Sequence, residues 1–552
     1  MIGCAESASL SGEQMAQNAT DRRERRLALV AVTLILAGFF LRLALAAQPP
    51  ERLIPLCLAD DAFYYLRIAE NILAGNGSTF DGVAATNGYH PLWMLVSMAA
   101  VRLAGSAVPA ARLLTLALAV IGAGNAFLLW RLALRVSGPV GGAWAAGFWA
   151  LSPFAIFTEL MGVEAPLMIL FVLATLLAYL PLRSGDPPPK KWLPVGLLLG
   201  LALLARTDAI LFAFALAVDV VVAHWLPARR NLERLRRRVV GAVAAAGVAV
   251  AVVSPWVVFS LARFGTVTQG SFTALIYTQR KLAALTGDSA WSIFVQQLNK
   301  GVFDFFLRFT SLPGAPLAVV FLAGLAVAAL TGKMASGTRV FEARERGAAA
   351  ALLWGATVWA FYVFYFWQQK MWYFLPAQIL LALATALLLG YLDRVAVQRR
   401  LAGALALTLA AGMAAGFART GAGLLRNGFH DWQKVYLDGA ATLRQMAAAE
   451  PGLRAAAFNS GIESAFSGLP VIDLDGVVNP DAARAIREKK LLAYLRSRGV
   501  NVVVDHLGII AMYEAFAEPE WRNSFTMVRR FPTPPSADDV VILRVRPVPA
   551  AP

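Results

Sequence analysis

The sequence predicts a mainly α-helical, polytopic transmembrane bundle of about eleven spans, followed by a small α/β domain outside the membrane. Three observations carry this. Of 552 residues, 58% are hydrophobic and only 15% charged, where a soluble chain has about a quarter charged. The basic residues sit in short tracts (22–26, 229–238, 333–346 and 394–400) between long apolar runs, the pattern of cytoplasmic span ends. From about residue 419 the composition becomes that of a soluble domain. The formal net charge of +16 therefore reflects topology and gives no nucleic-acid-binding face.

Residues 1–26 form a polar cytoplasmic tail, and 27–47 is apolar and long enough to span. That run is long for a signal peptide, so it reads as an uncleaved anchor. An outer loop follows over 48–92. The segment 93–103 is short, hence interfacial or re-entrant; treated so, Arg131, Arg135, Lys190 and Lys191 all fall inside. Crossings are then expected at 111–130, 140–157, 166–182, 193–205, 210–226 and 239–261. After an outer loop at 263–312 come 316–330, 348–367, 373–391 and 401–417. The transmembrane part thus covers 27–418, with the N-terminus cytoplasmic and the domain 419–552 outside. Within that domain 455–459, 471–474, 500–505 and 540–545 read as strands, and 481–498 as a helix. Cys4 and Cys57 flank the first span on opposite sides, which argues against a disulfide and leaves no Cys-based metal site. No internal repeat suggests a transporter's symmetry.

The first outer loop opens on Asp60-Asp61-Ala62-Phe63-Tyr64-Tyr65. Phe63, Leu66, Ile68 and Ile72 recur at helical spacing, with Arg67, Glu70 and Asn71 opposite. One Asp of the pair can cap the first N–H groups, and Gly75 and Gly77 supply the stop. The topology, drawn from basic tracts alone, puts Glu159, Glu164, Arg206, Asp208 and Lys370 on the same side as this pair. Ionisable groups near a membrane are costly unless paired, solvated or used. Each alone reads equally well as a helix-end anchor, and Arg206 with Asp208 as a local ion pair. Together they suit chemistry. Carboxylates can deprotonate a hydroxyl or hold a divalent cation, and Arg and Lys can hold a phosphate. Tyr89, Trp93, Trp372 and Tyr373 can stack on a sugar or sit at the membrane interface. His90 reads as a loop residue before Pro91. No Walker-type glycine loop appears, so no nucleotide is expected; no serine elbow or zinc spacing is present. Asp473-Leu474-Asp475-Gly476 reads as a strand ending in a turn.

The first-loop block, with Gly77-Ser78-Thr79-Phe80-Asp81-Gly82 and Thr86-Asn87-Gly88-Tyr89-His90-Pro91-Leu92-Trp93, resembles a bacterial subgroup of the GT-C superfamily of membrane glycosyltransferases. That superfamily includes protein O-mannosyltransferases, the lipid A aminoarabinose transferase and mycobacterial arabinofuranosyltransferases. Gly162-Val163-Glu164-Ala165-Pro166-Leu167, Ala205-Arg206-Thr207-Asp208-Ala209, Trp372-Tyr373-Phe374-Leu375-Pro376 and the stretch 466–476 are similar to its later landmarks.

The resemblance implies a GT-C bundle in the bacterial inner membrane with a periplasmic active site. It implies transfer from a polyprenyl-phosphate-linked sugar to a lipid, glycan or protein hydroxyl, with inversion. Asp60 or Asp61 would be the general base, with preference for Asp60, and a divalent metal, if any, would sit on this pair. Arg206 and Lys370 would bind the donor phosphate. Tyr64, Tyr65, Asn87, Tyr89, His90, Glu159, Glu164, Asp208, Trp372 and Tyr373 would contact or support the substrates. The rival readings are a transporter or lipid-linked-sugar flippase, which should carry charges at mid-membrane depth, and a non-catalytic scaffold.

Overall fold

A computed structural model describes residues 2–184, 187–226, 231–285, 287–301, 345–367, 370–394, 399–533 and 538–547. The expected crossing at 316–330 and most of the basic tract 333–346 lie outside the described residues.

Among the described residues, seven helices are long and apolar enough to cross a membrane. They are Thr20–Ala46, Ala107–Ser137, Ala165–Arg183, Thr207–Trp225, Leu232–Phe264, Arg346–Phe366 and Met371–Arg394. Within the described residues, two of the expected crossings take other forms. The expected span at 140–157 is broken into Pro139–Leu151 and Pro153–Glu159, bent by 57°. Pro153 cannot continue the ladder, and the Ser152 hydroxyl caps the second piece by accepting from the Ala155 N–H. The 193–205 segment is a 13-residue helix, about 20 Å long and short of the ~30 Å hydrocarbon core. Residues 401–417 lie within a longer helix, Arg399–Asn427.

We label the helices used below α1 (Ile2–Ala46), α2 (Asp61–Leu73), α3 (Pro91–Ala104), α4 (Ala107–Ser137), α5 (Pro139–Leu151), α6 (Pro153–Glu159), α7 (Leu375–Arg394), α8 (Arg399–Asn427) and α9 (Gly461–Ser467). α7 belongs to the central span: 83% of that span's most apolar stretch is buried, against 11% for Leu232–Phe264. Small residues let the backbones meet. A Cβ on Gly390 of α7 would stand 2.0 Å from the Ser137 carbonyl, and one on Gly38 of α1 would stand 2.3 Å from the Ala150 carbonyl. The basic tract 22–26 within α1 meets the end of α7, where Arg23 pairs with Asp393 at 2.5 Å.

The chain ends in a small five-stranded sheet of order β2-β1-β3-β5-β4: β1 Ala455–Ala457, β2 Ile472–Asp473, β3 Val502–His506, β4 Phe525–Phe531 and β5 Val540–Val545. β1 pairs in parallel with β2 and β3, and β5 is antiparallel to β3 and β4. Alternate residues bury opposite faces. Val502, Val504, Val540 and Ile542 join the core continuous with the helical bundle. Val503, Val541 and Leu543 join a second core beneath the outer helices. The expected helix over 481–498 is two helices, Pro480–Glu488 and Leu491–Ser497, broken at Lys489 with φ +56°.

Candidate active site

The two adjacent aspartates diverge. α2 begins where the Ala59 N–H donates to the Met161 carbonyl and the Asp60 N–H donates to Gln433 Oε1. The Asp60 carboxylate does not cap its own helix. It accepts the Gly461 N–H at 3.2 Å and the Ile462 N–H at 2.6 Å, the first donors of α9. Burial pushes the Asp60 carboxyl up to about 7, opposed by the Ile462 N–H and reinforced by the Asp61 charge. Asp61, one residue on, points elsewhere: its Oδ2 lies 2.5 Å from Lys370 Nζ, and both side chains are about a quarter exposed. Burial of the Lys370 ammonium works against its charge, but the Asp61 carboxylate outweighs this and raises its pKa. Lys370 also lies over the Trp372 ring at 5.0 Å.

Beside this pair stands a second cationic centre. Arg206 Nε donates to both Asp208 oxygens at 2.8 and 2.9 Å, Nη1 to Glu164 Oε1 at 2.5 Å, and Nη2 to the Tyr362 hydroxyl at 2.9 Å. Its guanidinium covers the Tyr373 ring at 4.7 Å. Glu164 in turn accepts from the Tyr65 hydroxyl at 2.9 Å, and that hydroxyl accepts the His90 N–H. Burial, then the Arg206 charge, push His90 down to about 3, so its imidazole is neutral. Its Nδ1 meets Gln269 Nε2 at 2.8 Å, and it precedes Pro91 at the start of α3.

Asp61, Tyr64, Tyr65, Tyr89, His90, Glu164, Arg206, Lys370, Trp372 and Tyr373 line one cavity of about 80 Å³. It adjoins a more apolar hollow of about 240 Å³ walled by Asp208, Phe272, Tyr362 and Phe366, the two sharing Arg206, His90 and Tyr373. Residues expected near the Asp pair from separate loops are thus gathered at one place.

Three of the expected site residues line neither cavity. Asp60 is committed to α9 rather than to the cavity. Glu159 is fully buried in the bundle, where its Oε2 meets Arg42 at 2.7 Å and its Oε1 accepts from Asn125 and Trp149. Arg42, buried within an apolar span, draws it there. Asn87 is a latch: its amide donates to Ser260 Oγ and the Thr268 carbonyl, and its oxygen accepts the Gly270 N–H. The Asp60 and Asp61 carboxylates also differ in their partners: one meets backbone N–H groups and the other an ammonium. Among the described residues, no group of three or more His, Cys, Asp or Glu is placed to hold a metal ion.

Sequence reasoning missed Tyr362, Gln269 and Asp475. Tyr362 was hidden inside an aromatic span and Gln269 in a loop without a motif. Asp475 was set aside as a turn residue; its Oδ1 accepts the Val477 N–H at 2.7 Å, and Val477 lines the cavity. Burial raises the Asp475 carboxyl to about 7, opposed first by that N–H, with Lys370 and Asp61 among the charges it feels.

Residues 90–263 match the family described as dolichyl-phosphate-mannose-protein mannosyltransferase, and residues 430–543 match a domain of unknown function (DUF8728). No curated protein matches the sequence. The fold is similar to that of ArnT from Cupriavidus metallidurans in the apo state, at 13% identity and a TM-score of 0.55, over 94% of this chain and 97% of that one. The same protein bound to undecaprenyl phosphate gives 15% and 0.54 over the same shares. The apo oligosaccharyltransferase of Archaeoglobus fulgidus gives 14% and 0.53, over 93% of this chain and 74% of that one. The resemblance to GT-C membrane glycosyltransferases read from the sequence therefore stands, in a family match and in a shared fold.

Proposed function

We propose that this chain transfers a sugar from a polyprenyl-phosphate donor to a hydroxyl acceptor, with Asp61 as general base. The observation that carries the reading is the Asp61–Lys370 pair, set in a cavity beside Arg206. A hydroxyl is too weak an acid to ionise at neutral pH, so a positioned carboxylate must take its proton as the new bond forms. Asp61 is favoured over Asp60 because the Asp60 oxygens accept N–H groups of α9 and Asp60 does not line the cavity.

The chemistry is one displacement. The acceptor oxygen bonds to the anomeric carbon, the bond from that carbon to the phosphate oxygen breaks, and the acceptor proton moves to Asp61. A single displacement inverts the anomeric centre. The leaving phosphate gathers negative charge, which Lys370 and Arg206 are placed to stabilise. Arg206 uses three of its five N–H groups on Asp208, Glu164 and Tyr362, leaving two for a ligand. An incoming phosphate competes with Asp61 for Lys370, which both seats the donor and releases the base. The reading routes no step through a metal. The binding of undecaprenyl phosphate by ArnT, a protein of similar fold, supports the donor class.

Lys370 precedes α7 and Asp393 stands near its other end, beside the Arg23 of the basic tract. By the positive-inside rule this supports a cavity on the outer face and a cytoplasmic N-terminus, and the donor class fits a bacterial inner membrane. The test is transfer of label from a panel of radiolabelled polyprenyl-phosphate sugars to membrane extract, with and without chelator. Transfer by the wild type, lost in Asp61→Asn with unchanged melting, is the expected result. Donor binding without transfer by the wild type would indicate a lipid carrier instead, and chelator sensitivity would restore a metal.

A further inference from the structure

A different cavity lies at the opposite end of the bundle. It holds about 550 Å³ and is walled by α1, α5 and α8, with Leu389 of α7 behind them. Leu27, Leu34, Trp144, Phe148, Leu407 and Phe417 give it an apolar lining. The one indole nitrogen in that lining is turned inward, where Trp144 Nε1 donates to Thr385 Oγ1 at 2.7 Å. Leu407 is 73% exposed, so the cleft opens sideways from the bundle.

Its lining runs lengthwise along α1, α5 and α8. α1 and α5 run side by side in the same direction, since Gly38 abuts Ala150 and Leu34 abuts Gly147. Along α5 the lining extends from Val140 to Leu151, about 17 Å at 1.5 Å per residue. One leaflet's share of a ~30 Å hydrocarbon core is ~15 Å. The cleft is therefore one leaflet deep, and it begins at Leu27, immediately after the basic tract 22–26. At that end an adjoining hollow of about 240 Å³ is lined by Arg25, Glu24 and Trp130. Arg23 is neutralised by Asp393. Arg22, Arg25 and Arg26 are exposed and outnumber the two neighbouring carboxylates, Asp21 and Glu24.

We propose that this cleft holds one acyl chain of an anionic glycerophospholipid, with the lipid phosphate resting on Arg25 and Arg26. An apolar slot of leaflet depth that starts at a cluster of arginines matches both halves of such a molecule.

The full-length protein in detergent, supplied with phosphatidylglycerol or phosphatidylcholine, is examined by native mass spectrometry. The wild type is expected to keep one phosphatidylglycerol at collision energies that strip phosphatidylcholine. Ala414→Trp fills the cleft from an exposed position, and Arg25→Glu with Arg26→Glu reverses the charge at its mouth. Each is expected to cut phosphatidylglycerol retention by about tenfold or more. The charge variant lies on the surface, so it tests the site even if the tryptophan disturbs packing. Equal retention of the two lipids by the wild type, or unchanged retention in the charge variant, overturns the proposal. So does Ala414→Trp that melts like wild type and retains the lipid, or a lipid-free dimer mass, which would make a second copy the occupant.

Discussion

Asp61 reaches Lys370 at 2.5 Å across 309 positions of sequence, bringing the first outer loop and the approach to the central helix to one point. This contact differs from the buried Arg42–Glu159 pair, because both partners keep part of their surface open to a ligand.

Replacing Asp61 by Asn should lower transfer by about 10²–10⁴-fold, the range for loss of a general base, with melting unchanged. Asp60→Ala should behave in the opposite manner. It leaves two buried N–H groups of α9 without an acceptor, at about 1–3 kcal/mol each, so melting falls while the remaining folded protein turns over. Parallel activity and melting measurements on the two variants decide between them.

Lys370→Gln removes the ammonium that the donor phosphate would meet. A hydrogen bond to a charged group contributes about 1.5–3 kcal/mol, so polyprenyl-phosphate affinity should fall by about 10–100-fold. Titration calorimetry on the purified protein checks this without an acceptor.

Stability should fall as pH rises through the weakly acidic range. The ordinary carboxyl value of 3.8 for Asp60 rises to about 7 in the fold through burial. Burial, then the Asp60 and Asp505 charges, also hold Glu463 well above its ordinary value. The folded chain thus keeps protons that the unfolded chain has released. For Asp60 this stabilisation is complete below about pH 4, declines from 4 to 7, and is gone above that. Neither Glu463 oxygen has a hydrogen-bond partner among the described residues. Melting compared at pH 5 and pH 8 should show a drop for the wild type and a smaller one for Glu463→Gln.

Glu159→Ala should destabilise by about 3–5 kcal/mol, the effect of stranding a buried charge, here that of Arg42. Turnover per folded molecule should be preserved. A fall in transfer with undiminished melting would return Glu159 to the active site.

The legibility of the site differs residue by residue. Lys370, Arg206, Glu164 and His90 were placed with the Asp pair by basic tracts and short motifs, and they line one cavity with Asp61. Glu159 sits only five positions from Glu164, yet the bend after Ser152 sends it back into the bundle towards Arg42. Ser152-Pro153 marks the break locally, but the partner that holds Glu159 inside, Arg42, lies 117 positions away. The division of labour between Asp60 and Asp61 was equally hidden, because it is set by α9, about 400 residues away. Long apolar runs identified most of the crossings; short helices and the break at Ser152 made their number uncertain by periodicity alone.

The backbones of the first loop and the C-terminal sheet region touch at Gly88, where an added Cβ would stand 2.1 Å from the Val477 carbonyl. Asp60 grips α9 on the same seam. The C-terminal segment is therefore not a module that recombination could exchange freely between relatives. A graft would have to carry its matching loop, because the contact at Gly88 leaves no room for an unmatched side chain.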